Sequence, residues 1–361
     1  MFELPPVVVD VGALDLVGGR RRSPQEPVGK RGGRHRANRS GVSPVAALSF
    51  SRDAGSRFSG TEVSPPSPLR CQDGAVSDAL DFLVKLLDIE PIEVNIFRGV
   101  SPDEHRQRVF GGQVAAQALM AAGRTVERGR VHSLHSYFLR PGDPNVPILY
   151  EVDRIRDGRS FTTRRVVAIQ HGQAIFNMQT SFQVDEDGDF VHQAAMPDVP
   201  GPETLSSLRE RLEPLRDQLA DWFARPHPID QRHVGELPWM QHENRDPIQR
   251  LWIRADGTLG DDPLLHACIA TYASDMSLFD TMLAPHEVRW DDAEFMGASL
   301  DHCMWFHRPF RADEWLLYDM DSPSAYGARG LARGFLFTRE GTLVVSMVQE
   351  GLMRLVPRPV P

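Results

Sequence analysis

Tyr137-Phe138-Leu139-Arg140-Pro141 returns, roughly 168–170 residues further on, as Trp305-Phe306-His307-Arg308-Pro309. Other matches fall into the same register. Leu149-Tyr150-Glu151 aligns with Leu317-Tyr318-Asp319, Arg159 approximately with Arg329, His171-Gly172 with Glu340-Gly341, and Ile175-Phe176-Asn177-Met178 with Val344-Val345-Ser346-Met347. None is strong alone, but together they mark an internal duplication. Each copy places a helix of small residues ahead of its strands, over 112–126 in the first and 263–274 in the second. Small side chains suit a helix packed closely on all sides, and Gly111-Gly112 let the first helix bring its N-terminus near another chain segment or a ligand.

Working outward, the first copy reads as four strands over 132–139, 148–156, 160–171 and 173–184, separated by turn signals such as Pro141-Gly142-Asp143 and Asp157-Gly158. A central helix wrapped by an antiparallel sheet buries this pattern economically. Upstream, Ser77 is a helix N-cap, Leu80, Leu83, Val84 and Leu87 recur at helical spacing, and Pro91 is read as the stop, before a strand near 95–98. Between the copies, Leu208, Leu212, Leu215, Leu219 and Trp222 predict an amphipathic helix over 206–223 that packs as a strut, with Pro214 as a kink point. The second copy opens with strand-like 229–237 and 251–253.

The expected division is therefore a tail over 1–75, a first half over 76–190, a connector over 191–226 and a second half over 227–361. The tail carries Arg20, Arg21, Arg22, Lys30, Arg31, Arg34, Arg36 and Arg39 in a Ser/Gly/Pro-rich setting without apolar periodicity, and is expected to be disordered. Overall, 41% hydrophobic and 25% charged residues describe an ordinary globular chain. A net charge of −9 argues against a general nucleic-acid binder, yet a local arginine patch for an anionic ligand is compatible with it. Three scattered cysteines argue against a disulfide framework and for a reducing compartment. There is no apolar run long enough to span a bilayer, Asp10 and Asp15 interrupt the one candidate signal segment, and no S-K-L address closes the chain. A soluble cytoplasmic protein is expected.

Common chemistries are missing. The sequence holds no G-x-S-x-G, no G-x-x-x-x-G-K-[ST] and no G-x-G-x-x-G. His132 and His135, three apart on a strand, point to opposite faces, and no further His or Cys completes a metal set. What stands out is a group of polar residues in apolar settings. Asp275 follows the apolar helix LLHACIATYAS, where partial burial raises a carboxylate's pKa and suits a general base; a helix-end residue bonded to nearby backbone is the alternative. Ser299 opens the run SLDHCMWFHRP, and simple alternation puts it on one face with Asp301, Cys303 and Trp305, opposite His302. His302 is thus a competing base or a structural histidine. Gln349 shares a face with Leu343, Val345 and Met347, at the end of an apolar stripe. Arg140, Arg308, Arg329 and Arg333 could meet the phosphates of a nucleotide-like ligand, or could be surface charges.

The blocks VFGGQVAAQAL, LHSYFLRPGD, YASDMSLF, SLDHCMWFHRPFRADEWLLYDMDSPSA and ARGLARGFLFTREGTLVVSMVQEGLMR resemble the acyl-CoA thioesterase II family over essentially 77–354. The resemblance implies an α+β double hotdog fold and hydrolysis of acyl-CoA to free acid and CoA. It implies an Asp, a hydroxyl residue and a Gln holding the attacking water, and these positions match Asp275, Ser299 and Gln349. Serine stands where threonine is usual, keeping the hydroxyl and losing one methyl. Thr180 aligns with Gln349, so one active centre per chain is expected. Gly111, Gly112, Arg308 and Arg329 are the expected substrate contacts, no metal or redox cofactor is required, and a homo-oligomer is the expected assembly. A hotdog enoyl-CoA hydratase and a noncatalytic acyl-CoA-binding protein are the alternatives. Because the tail contributes no core-forming residues, deleting residues 1–75 is expected to leave thioester hydrolysis and Tm nearly unchanged, measured side by side with the full chain.

Overall fold

A computed structural model describes residues 77–102, 107–237, 245–290, 292 and 294–356; the tail expected over 1–75 lies outside them. The first helix, α1 (Asp78–Leu87), starts where Ser77 caps it, accepting the Leu80 N–H at 3.2 Å. It ends at Leu87, earlier than the expected stop at Pro91. Pro91 lies instead in β1 (Glu90–Glu93), an exposed edge strand where a missing N–H costs no ladder bond. Next come β2 (Ile96–Gly99), α2 (Gly111–Gly123), β3 (Arg130–Phe138), β4 (Ile148–Asp157), β5 (Phe161–Gln170) and β6 (Gln173–Gln183). The β5–β6 loop is His171-Gly172, both with positive φ, 49° and 70°, the conformation that a two-residue hairpin demands.

The connector departs from the expected single helix. Pro214 has no N–H to continue the helical ladder. The segment accordingly breaks into α3 (Leu208–Leu212), a 3-10 turn at Glu213–Leu215 and α4 (Ala220–Ala224). Its leucines still pack together with Phe223 and Leu237 in a small core of their own.

The second half repeats the first: β7 (Ile229–His233), β8 (Ile248–Ala255), α5 (Pro263–Ser274), the short α6 (Leu278–Leu283), β9 (Phe295–Ser299), β10 (Asp301–Phe306), β11 (Leu316–Tyr326), β12 (Arg329–Thr338) and β13 (Leu343–Leu355). Among the described residues all strands join one antiparallel sheet in the order β1-β2-β4-β5-β6-β3-β10-β13-β12-β11-β8-β7, with β9 beside β13. The duplication is visible in that order: β4-β5-β6-β3 is mirrored by β10-β13-β12-β11 about the seam where β3 meets β10, Tyr137 facing Asp301 and Ser133 facing Trp305. Both halves belong to one compact unit.

The two central helices cross at close range inside this sheet. Every residue of α2 from Gly112 to Ala122 is buried. A Cβ on Gly112 would meet the Tyr272 carbonyl oxygen of α5 at 2.6 Å, and one on Gly123 would overlap Leu264 at the other end. The helices run antiparallel, so the N-terminus of α2 lies at the C-terminus of α5. Since β3, β10, α2 and α5 would all be stripped by separation, neither half is expected to fold alone. Residues 77–190 and 227–361 expressed separately at low concentration should lack a cooperative melt; a monomeric half with a sharp transition would contradict the shared core.

Candidate active site

Asp275 is the C-cap of α5, which begins cleanly because Asp262 caps it, accepting from Leu264 N–H at 2.9 Å, with Pro263 in the first turn. The far end of α5 is pinned by the buried Tyr318, whose hydroxyl donates to the Ser274 carbonyl at 2.8 Å. Gln349, fully buried on β13, donates from Nε2 to Asp275 Oδ1 at 2.9 Å and to Ser299 Oγ at 2.6 Å. The Ser299 hydroxyl and the backbone N–H of Gly112 also face the Asp275 carboxylate and favour its charged form. Asp275, Ser299 and Gln349 thus form one closed cluster, and the first half reaches it through the N-terminus of α2. A Cβ on Gly111 would come within 2.7 Å of Asp275 Oδ2, so the approach depends on its missing side chain.

Burial pushes the Asp275 pKa up to about 6, while the bonds from Gln349, Gly112 and Ser299 pull it down. An ionised carboxylate offers roughly four acceptor positions. Gln349 fills one of them, and the Ser299 hydroxyl and Gly112 N–H face the carboxylate, so acceptor capacity is left for a further proton donor.

The face on which Ser299 lies is corrected by the structure. In β10, Cys303 pairs with Val348 and Phe306 with Val345; continuing that register would put Leu300 opposite Gly351. In β9, Ser299 holds that place. Leu300 is therefore one residue extra, a β-bulge whose N–H and C=O are satisfied by the Glu350 carbonyl at 2.8 Å and the Phe138 N–H at 3.0 Å. The insertion reverses the alternation, so Ser299 does not side with Asp301, Cys303 and Trp305. It shares the inner face with His302, which the sequence reading put opposite. His302 is 1% exposed, with Nδ1 at 3.3 Å from Gln349 Oε1 and Nε2 at 2.8 Å from Ser274 Oγ. Burial lowers its pKa to about 4, so it is neutral at ordinary pH. A second bulge separates Leu343 from the stripe: Val345 and Met347 line the main core, whereas Leu343 joins the cluster of Trp252, Trp315, Leu317 and Phe337.

Neither of the two arginines singled out is bonded to this cluster. Arg308 donates to the Leu343 carbonyl at 2.7 Å, at the start of β13 and about 20 Å from Gln349 by strand rise. Arg329 is exposed and pairs with Glu350 at 2.7 Å. Beside the N-terminus of α2 lies a recess lined by Val109, Phe110, Gln113 and Tyr272, with Phe110 and Tyr272 edge to face at 5.1 Å. Among the described residues no cluster of His, Cys, Asp and Glu could hold a metal ion, and no helix is long and apolar enough to cross a membrane.

Comparison with known proteins identifies the family. The acyl-CoA thioesterase family model matches residues 220–352, and the acyl-CoA thioesterase N-terminal domain model matches residues 101–183. Acyl-coenzyme A thioesterase 8 of Homo sapiens is 42% identical over 285 residues, covering 76% of this chain and 89% of its own. Acyl-CoA thioesterase 2 of Haemophilus influenzae is 38% identical over 290 residues, covering 77% and 99%. The crystal structure of an acyl-CoA thioesterase II from Mycobacterium marinum aligns with a TM-score of 0.63 and 44% identity over 76% of this chain and 98% of that one. A hot dog fold protein of unknown function from Alicyclobacillus acidocaldarius, 20% identical with a TM-score of 0.61 over 79% of this chain and all of its own, shares the fold alone. The duplicated helix-in-sheet architecture is a double hotdog, and the chain belongs to the acyl-CoA thioesterase family.

Proposed function

We propose that this protein hydrolyses acyl-CoA thioesters to free acid and CoA, with Asp275 activating a water that Ser299 and Gln349 help to position. The observation that carries this reading is the closed hydrogen-bonded cluster of those three side chains at the junction of the two halves, in a chain of this family. A thioester carbonyl is electrophilic, but water at neutral pH is a weak nucleophile. A carboxylate with a pKa of about 6 is ionised at pH 7 and basic enough to take the proton as attack proceeds. Gln349, Ser299 and the Gly112 N–H together favour one orientation of the carboxylate, so its free acceptor capacity is aimed rather than averaged. The N-terminal end of the α2 dipole favours negative charge nearby and supports both the carboxylate and charge developing on the thioester oxygen. The recess beside Phe110 and Tyr272 offers apolar surface close to the same helix end.

Thiol release from saturated acyl-CoAs of several chain lengths, run alongside loss of enoyl absorbance from an enoyl-CoA, tests the class of reaction. Turnover in the first assay without the second is expected. Asp275→Asn keeps shape and removes the base; kcat should fall roughly 10²–10⁴-fold with KM changed much less. Ser299→Ala and Gln349→Ala should each lower kcat by a smaller factor, and combinations should be far from additive. A serine nucleophile would behave otherwise: Ser299→Ala would be as inactive as Asp275→Asn, and mass spectrometry of a quenched reaction would reveal an acylated Ser299.

The raised pKa of Asp275 has a second, non-kinetic consequence. Between the unfolded value near 3.8 and the folded value of about 6, the native state binds more protons than the unfolded one, so stability falls as pH rises through that window. Asparagine at this position escapes that loss. The Tm of Asp275→Asn minus that of the wild type should therefore be more positive at pH 8 than at pH 4.5, and a difference independent of pH would contradict a raised native pKa. The same ionisation predicts that kcat/KM of the wild type rises with pH to a plateau above about 6.

A further inference from the structure

Gln349 has an amide with two unlike ends, and only one orientation suits the cluster. Its Nε2 protons go to Asp275 Oδ1 and Ser299 Oγ. A flipped amide would set its carbonyl oxygen against the Asp275 carboxylate, forfeit that bond and leave Ser299 to donate where it now accepts. Asp275 and Ser299 therefore favour the productive orientation, but the opposite end, Oε1, is buried and needs a donor of its own. The atom facing it is His302 Nδ1 at 3.3 Å. On the far side of that ring, Ser274 Oγ lies 2.8 Å from Nε2 and 2.9 Å from the Thr271 carbonyl oxygen, so two acceptors compete for its one proton. With the amide fixed and Oε1 in need of a donor, the imidazole's own proton belongs on Nδ1, and the Ser274 hydroxyl turns to Nε2.

Resting on the thioesterase reading above, we infer that His302 is a positioning residue for hydrolysis: its Nδ1–H donates to Gln349 Oε1 and holds the amide with its NH₂ toward Asp275 and Ser299. The low pKa that burial imposes keeps the ring in the single-proton form that this role needs.

The duplicated half argues that the fold alone does not require a histidine here. By the alignment of the two copies, the counterpart of His302 is Leu134, fully buried on β3, and the residue beside it on the neighbouring strand is Thr180, the counterpart of Gln349. Thr180 satisfies itself locally, donating to the Ser133 carbonyl at 3.0 Å. The first half thus builds the same two sheet positions from leucine and threonine, and α2 is followed by Arg124 and Thr125 where α5 is followed by Asp275. Histidine occurs in the half that has the glutamine and the carboxylate. The bulge at Leu300 is what lets one sheet face present Ser299 and His302 to Gln349 together.

The test uses the full chain and thiol release from saturated acyl-CoAs. His302→Leu, which copies the first half, should remain folded with a Tm close to wild type and lose kcat by roughly 10–100-fold, with KM within about threefold. His302→Asn puts an amide N–H near the place of Nδ1 and should recover most of kcat. His302→Gln puts one near Nε2 instead and should stay slow, a comparison that stands even if the leucine variant does not fold. In a Gln349→Ala background, His302→Leu should cost less than about twofold more, because the group it acts through is already gone. A fast His302→Leu, equal rates for the asparagine and glutamine variants, or equal losses in both backgrounds would overturn the inference while leaving the thioesterase reading intact. A wild-type protein that releases no thiol from any acyl-CoA would overturn both.

Discussion

The carboxylate of Asp275 ends a helix of the second half, yet it sits against the first, facing the backbone N–H of Gly112. That approach requires two helices to cross with almost nothing between them. Gly111 and Gly112 make it feasible, because a single added carbon on either would collide with Asp275 or with the backbone at Tyr272. The rest follows from holding that crossing. The run of alanines in α2 lets its flanks pack tightly, Tyr318 braces the end of α5, and the β3–β10 ladder keeps the two halves of the sheet from sliding apart. A buried acid is costly to ionise, and the closeness of a helix N-terminus offsets part of that cost without introducing a positive side chain.

Much of this was legible in the order of residue types. The duplication could be counted, and the second central helix lies over the residues that its apolar run and Pro263 suggest, because helix ends carry chemical signals that sequence displays directly. The strands of the first half fall within a few residues of their expected bounds for the same reason: turns such as Pro141-Gly142-Asp143 and Asp157-Gly158 are written in residue type. Gly111-Gly112 read as a point of close approach, though the sequence does not say that the partner is a carboxylate.

Other features leave no such trace. Counting in twos along 299–305 presumes an unbroken ladder, and the bulge at Leu300 involves only backbone groups, so nothing in the side chains announces it. His302 was consequently assigned to the wrong face and its contact with Gln349 missed. The Leu343 face failed for the same reason at a second bulge. Proline in the connector was visible, but periodic leucines spoke for continuity, and the missing N–H of Pro214 prevailed. The partners of Arg308 and Arg329 could not be read at all, because they are set by which strand ends meet in space.

A sheet this long has two ends, and each end is a row of backbone groups able to template another strand. At one end, β1 is the short sequence Glu-Pro-Ile-Glu, whose acidic side chains repel an identical neighbour and whose proline removes a donor from the row. At the other, β7 is overlaid by the connector, with Arg232 donating to the carbonyls of Pro202 and Leu205. The link between the halves, besides spanning the gap, therefore packs against this last strand. Proline at position 91, which does not stop the helix before it, stops the sheet from growing, and with it the fibrous aggregation to which an unguarded ribbon of strands is prone.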